Sequence, residues 1–155
     1  MKLSLAKEKA EKIKVALAPY CSRIQVAGSI RRKASNPRDM DIVLIPKDPW
    51  GLNNALNKLG TKLMGKDKLR RFSVGGTQVD FYFATEDTWA TLLLIRTGSK
   101  EHNIKLCSAA KAKGWKLCAG GEGLFNQNGN RIAGDTEESI FEALGLAYKI
   151  PQERK

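Results

Sequence analysis

The sequence predicts an α+β fold, with a larger lobe of helices and strands followed by a smaller mixed lobe. Three observations carry this prediction. Apolar residues recur at helical spacing over residues 5–18 and 52–64. Residues 40–45 and 78–84 form compact apolar runs of strand length. Thr97-Gly98-Ser99 then interrupts the pattern, and shorter strand candidates alternate with helices beyond it. The chain has 155 residues, 42% of them apolar, which is room for one compact domain or two small lobes sharing a core. Wholesale disorder is excluded.

Each element has a local cause. In 5–18, Leu5, Ala6, Ala10, Ile13, Ala16 and Leu17 lie on one helical face, and Pro19 ends the helix. Residues 24–27 read as a short strand stopped by Gly28-Ser29, and 31–38, with Ser35, Asn36 and Pro37, as a loop. Residues 40–45 are a strand closed by Pro46. A helix is expected over 52–64, with Leu52, Ala55, Leu56, Leu59 and Leu63 on one side. Strands at 69–74 and 78–84 flank Gly75-Gly76-Thr77, a hairpin with a glycine-bearing turn. Thr85-Glu86-Asp87 starts a helix whose apolar face is 89–95, and another helix spans 100–113. Short strands follow near 115–117, 123–126 and 131–133. A final helix covers 136–144, where Thr136, Glu137, Glu138 and Ser139 make an acidic, cappable start.

The 27 Lys and Arg exceed the 16 Asp and Glu, giving a net charge of +11. That surplus attracts polyanions at low salt, and it equally describes a basic surface with no nucleic-acid partner. Three scattered cysteines and one histidine leave little for a Cys/His zinc site. There is no signal-peptide core and no apolar run of membrane-spanning length, so the reading is a soluble, cytoplasmic protein without a membrane partner.

The chemistry gathers in three places. In Arg38-Asp39-Met40-Asp41-Ile42-Val43, strand alternation puts Asp39 and Asp41 on one face. Their Cβ atoms are then roughly 6–7 Å apart, within reach of cations spaced ~3.5–4 Å, the separation of two-metal phosphoryl chemistry. Taken alone, Asp-x-Asp also describes a solvated turn leading into a strand. Asp80 stands inside the otherwise apolar run Val79-Asp80-Phe81-Tyr82-Phe83, where a poor strand former asks for a reason. A third metal ligand supplies one, and an edge-strand acid facing water is the plainer alternative. Gly28-Ser29-Ile30-Arg31-Arg32 follows a strand, and a Gly-Ser turn beside arginines suits phosphate oxygens. It is not a Walker loop, and its weight comes from preceding the acid pair.

Together these motifs resemble the nucleotidyltransferase superfamily. Thr97-Gly98-Ser99-Lys100-Glu101-His102-Asn103, then Gly123-Leu124-Phe125, Arg131-Ile132-Ala133, the run 136–146 and Ile150-Pro151-Gln152-Glu153-Arg154 narrow the resemblance to family X DNA polymerases of the DNA polymerase beta type. The resemblance spans nearly the whole chain, in order. It implies a nucleotidyltransferase palm with a mixed β-sheet flanked by helices over 1–96, and a small α+β thumb over 97–155. It implies that Asp39 and Asp41 bind two Mg²⁺ or Mn²⁺ ions and that Asp80 binds the catalytic one and helps activate the primer 3′-hydroxyl. Ser29 and Arg32 would hold the outer phosphates, Gly28 would give backbone access, and Arg31 would support them. Thr97, Gly98 and Ser99 would shape the sugar pocket, and Asn103 would touch the incoming nucleotide. His102 is read as a plain helix-start residue. The implied activity is addition of nucleotides from nucleoside triphosphates to a primer-template or gapped DNA, template-directed, by a monomer. A template-independent or RNA- or small-molecule-directed transferase and a non-catalytic nucleic-acid-binding module are the alternatives.

The pattern departs from the family at three points. Ile95-Arg96 replaces an aromatic pair that selects the sugar, Gln78 replaces the arginine two residues before the third aspartate, and Cys107 falls where a template-contacting arginine is usual, leaving Lys105 nearby. The chain also begins at the palm, so no lyase activity is expected, and DNA grip is assigned to Lys62, Lys66, Lys68, Arg70, Arg71, Lys111, Lys113 and Lys116.

Overall fold

The computed structural model describes residues 1–155. Helix α1 (Leu3–Leu17) buries Ala6, Ala10, Ile13 and Leu17, one face of a 3.6-residue period. A 3₁₀ turn over Ala18–Tyr20 carries Pro19 and delivers the chain into β1 (Cys21–Val26). The expected loop is preceded by one helical turn, α2 (Gly28–Arg31), and followed by β2 (Met40–Pro46). Helix α3 (Pro49–Leu59) is capped by Asp48, whose carboxylate accepts a hydrogen bond from the Gly51 amide at 3.1 Å.

The helix expected over 52–64 is too long. It ends at Leu59, and residues 61–65 form an additional edge strand, β3 (Thr61–Gly65). Gly60 turns fully extended, and its α-carbon lies so close to the Ser73 carbonyl that no side chain fits there. Leu63 continues the helical spacing of Leu56 and Leu59, but it is 54% exposed on the strand, so the match to a helix is coincidental.

Strands β4 (Leu69–Val74) and β5 (Thr77–Phe83) form the expected hairpin. The five-stranded sheet runs β1-β2-β5-β4-β3, with β2 and β5 parallel at its centre and the other pairs antiparallel. A parallel central pair covered on both faces explains the nearly continuous apolar runs of β2 and β5. On one face Met40, Ile42, Leu44, Val79 and Phe81 pack against α1 and α3. On the other, Val43, Ile45, Tyr82 and Ala84 pack against α4 (Trp89–Thr97).

Helix α4 is apolar nearly all round because it serves two cores. Leu92 and Leu93 face the sheet, whereas Leu94 and Ile95 join a second cluster with Leu106, Leu124 and Phe141. That cluster is built by α5 (Lys100–Ala112), the small antiparallel sheet of β6 (Lys116–Cys118), β7 (Gly123–Phe125) and β8 (Arg131–Ala133), and α6 (Glu137–Ala143). Thr136 caps α6 as expected, with a reciprocal capping box through Ser139. No helix is long and apolar enough to cross a membrane.

Candidate active site

The register of β2 and β5 sets Asp41 directly opposite Asp80 on adjacent parallel strands. Alternation turns both toward the face that carries Tyr82 and α4. Asp39 sits on an exposed bend one residue before β2, close enough for its charge to act on Asp41. Burial, and next the neighbouring Asp80 carboxylate, push the Asp41 carboxyl up to about 6, although the Tyr82 hydroxyl and the Arg96 charge pull the other way. Tyr82 Oη lies 3.4 Å from Asp41 Oδ1 and 3.5 Å from Asp80 Oδ2, so one phenolic proton is shared between two acceptors. Burial, and next the Asp41 charge, push that phenol up to about 12, which keeps the proton in place.

Asp80 is only 6% exposed, and Arg71 holds it at both oxygens: Nε donates to Oδ1 at 2.7 Å and a terminal nitrogen to Oδ2 at 3.1 Å. Asp41 and Asp80 therefore share one side of the sheet, and the three carboxylates do not close into a ready-made three-ligand metal cluster. Asp39 stands outside on its bend, and Asp80 is turned to Arg71.

The Gly-Ser turn lies against this pair. Gly28 has φ +59°, and the space a side chain would need is filled by the Asp41 carboxylate, so glycine is required twice over. The Ala27 amide donates to the Asp41 carbonyl at 2.8 Å and fastens the turn to β2. Ser29 follows, half-buried, on the one-turn helix α2. Arg31 points away from the acids: its guanidinium donates to Thr97 Oγ1 at 2.8 Å and to both Glu137 oxygens at 2.9 and 2.7 Å. Arg32 donates to the Thr97 carbonyl at 2.6 Å and borders the cleft in front of Asp41.

That cleft encloses about 420 Å³, with Gly28, Arg32, Asp41, Arg96, Gly98 and Asn103 among its walls. Gly98 has φ +70°, and the Arg32 guanidinium lies 3.1 Å from where a Cβ would be. The Asn103 amide donates to the Ile95 carbonyl at 2.9 Å, and its Oδ1 is buried without a partner. Arg96 stacks over the Tyr82 ring, 4.3 Å from its centroid, with its Nε also buried and unpaired.

Of the ten expected site residues, Gly28, Arg32, Asp41, Gly98 and Asn103 line this cleft, and Asp80 adjoins it through Tyr82. Thr97 and Ser99 shape it without lining it. The Thr97 hydroxyl is spent on the Leu93 carbonyl, at 2.6 Å, and on Arg31. Ser99 caps α5, accepting from the His102 amide at 3.2 Å. His102 is buried against Phe141, and burial, followed by the charge of Arg154, lowers it to about 4, so it is a neutral packing group.

Three contacts escape sequence reasoning. Arg71, expected to grip DNA, is paired with Asp80; its neighbour Arg70 likewise stacks on Phe83 and bonds the Lys66 carbonyl. The hairpin holds the signal, since a turn at Gly75-Gly76 pairs Val74 with Thr77 and, three residues further, Arg71 with Asp80. Tyr82 is readable as sharing the face of Asp80, but its reach to Asp41 depends on the parallel register. Glu137 and Arg154, 17 residues apart, meet at 2.8 Å, with Arg154 fully buried beneath Phe141 and Tyr148. No local pattern announces that contact.

A family model described as the DNA polymerase beta thumb matches residues 92–155. Among curated proteins, the DNA polymerase/3′-5′ exonuclease PolX of Bacillus subtilis (strain 168) is 33% identical over 135 residues, which cover 83% of this chain and 24% of that protein. Repair DNA polymerase X of African swine fever virus, from the isolates Tick/South Africa/Pretoriuskop Pr4/1996 and Warthog/Namibia/Wart80/1980, is 28% identical over 142 residues, 84% of this chain and 80% of the viral protein. The chain thus spans about a quarter of the bacterial relative and most of the viral one. The matched thumb, the mixed palm-like sheet and the order of the motifs agree: the chain belongs to family X of the DNA polymerases.

Proposed function

We propose that this protein adds nucleotides to the 3′ end of a DNA primer, directed by a template and suited to filling short gaps, using two divalent cations. The observation that carries the reading is the facing pair Asp41 and Asp80, with the Gly28 turn packed on the Asp41 carboxylate at the mouth of one cleft. We place the boundary between palm and thumb at residues 96–97, where α4 ends.

The donor set fits hard cations. Asp39, Asp41 and Asp80 offer carboxylate oxygens, without a thiolate or imidazole beside them. Burial, and next the Asp80 charge, disfavour the ionised Asp41 carboxyl, a cost that a bound cation would offset. Asp39 and Asp41 would hold both Mg²⁺ or Mn²⁺ ions, and Asp80 the one nearer the primer. When bound, such ions stabilise charge on the transferring phosphate and acidify the attacking hydroxyl. Asp80 orients the primer 3′-oxygen for in-line attack on the α-phosphate, with pyrophosphate leaving. Ser29 and Arg32 hold the outer phosphates, and Gly28 lets them approach the backbone. The unpartnered Asn103 Oδ1 supports a hydrogen bond from the nucleotide.

Primer extension in Mg²⁺, comparing wild type with Asp41→Ala, tests the site. Loss of at least ~10²–10³-fold in kcat is expected when a group that stabilises the reacting charge is removed. Equal activity would reject the assignment. Gapped against open substrates, each with four templating bases and with deoxy- and ribonucleotides, check template direction, gap preference and sugar choice. Incorporation indifferent to the templating base would favour a template-independent transferase.

A further inference from the structure

We propose that Arg71 is a positioning residue for nucleotidyl transfer, acting through Asp80, and is not part of the surface that grips DNA. The inference rests on the reading of Asp80 as a site acid, and it goes beyond that reading by assigning what sets the orientation of the acid.

A carboxylate has two soft freedoms, rotation about χ1 and about the bond that carries the carboxyl plane. On β5 the backbone register places Asp80 but leaves its carboxyl plane undetermined. Arg71 stands directly opposite on the antiparallel strand β4. Its two donors, Nε at 2.7 Å from Oδ1 and a terminal nitrogen at 3.1 Å from Oδ2, meet both oxygens at once. A planar fork on a planar carboxylate fixes the plane as well as the position. Each oxygen then keeps one lone-pair direction for the side where Asp41 and the Tyr82 hydroxyl lie. The pair is also asymmetric in exposure, since the Arg71 side chain is 32% exposed and that of Asp80 only 8%. The charge is therefore committed inward, to a buried acid, although part of the side chain reaches solvent. Gln78, two residues before Asp80 on the same face of β5, is not charged and supplies no such fork.

The test separates orientation from grip. Arg71→Ala and Arg71→Lys are assayed by primer extension for kcat and nucleotide KM, and by filter binding for DNA Kd, with thermal unfolding as the check on folding. For Arg71→Ala the expectation is a fall of ~10–100-fold in kcat, the scale of a misplaced reacting group, with DNA Kd within about twofold. The Arg71→Lys variant should recover only part of the lost rate, because an ammonium is a point donor. Two rescues read the fork itself. Millimolar guanidinium added to Arg71→Ala, and relocation of the arginine in the double variant Arg71→Ala/Gln78→Arg, should each restore kcat at least severalfold. Unchanged kcat with weakened DNA binding would overturn the proposal and return Arg71 to the DNA-binding surface. A kcat loss that neither rescue reverses would also overturn it, because a merely structural role predicts that result. Wild-type kcat in Asp80→Ala would sink the reading of the acid itself, which Arg71 variants alone cannot do.

Discussion

Two clusters of charged side chains, one on the sheet and one around Glu137, are built to opposite ends. At the sheet, Asp41 and Asp80 face each other with Asp39 nearby; Arg71 holds Asp80 from the outer side, a phenol is shared between the two acids, and Arg96 acts on Asp41 through its charge. At the lobe junction, one carboxylate, Glu137, sits between Arg31 and Arg154 with three charge-assisted bonds of 2.7–2.9 Å. Both groups lose solvent. Burial and Asp80 push Asp41 up to about 6, whereas at Glu137 the same loss of solvent is outweighed by the two guanidiniums, which hold its carboxyl below the usual value. The first cluster is left short of positive charge, and the second is satisfied. The satisfied cluster is a clip, and the other is the one proposed above to take cations.

Breaking each cluster should therefore move stability in opposite directions. Glu137→Ala strands Arg154, which has no exposure at all, together with the half-buried Arg31, and should cost ~3–5 kcal/mol of unfolding free energy, the scale for removing one partner of a buried pair. Chemical denaturation at neutral pH measures it, and a loss under about 1 kcal/mol would mean that the junction tolerates free charge. In contrast, Asp41→Asn in chelator-containing buffer should stabilise the protein by ~1 kcal/mol, because it removes a carboxylate that burial and Asp80 both disfavour while ending catalysis. A destabilised Asp41→Asn would erase the distinction between the clusters.

The smallest expected effect concerns pH. His102 is lowered to about 4 from its ordinary 6.5, so between those values the unfolded chain binds a proton that the folded chain does not. Stability contributed by neutral His102 is present above about pH 6.5 and is lost as pH falls toward 4. Glu137, whose folded value is depressed, adds a loss only below the ordinary carboxylate range. His102→Gln should flatten the unfolding midpoint between about pH 6.5 and about pH 4.5 while leaving the steeper acid limb. An unaltered slope in that window would show that His102 is protonated in place.

What can be read from residues alone is whatever depends on period and local chemistry. Alternation puts Asp80 with Tyr82 on one face, whereas Asp39, on a bend before β2, lies outside the strand whose alternation would pair it with Asp41. Thr136 and Ser139 announce the cap of α6, and the hairpin turn even contains the pairing of Arg71 with Asp80. Where two periods coincide the residues mislead, as at Leu59 and Leu63, because four-residue spacing fits a helix and says nothing of the extended Gly60 between them. The family resemblance, too, rests on motifs in order along the chain.

Only the tertiary structure decided what meets across the chain. Parallel pairing of β2 with β5 brought Asp41 and Asp80 together over a separation of 39 residues. Folding of the C-terminus beneath α6 turned an ordinary Arg154 into a fully buried partner of Glu137. The physical reason is the same in both cases. A carboxylate's partner is set by three-dimensional proximity and desolvation, and neither quantity exists along a one-dimensional chain until the sheet and the two lobes have packed.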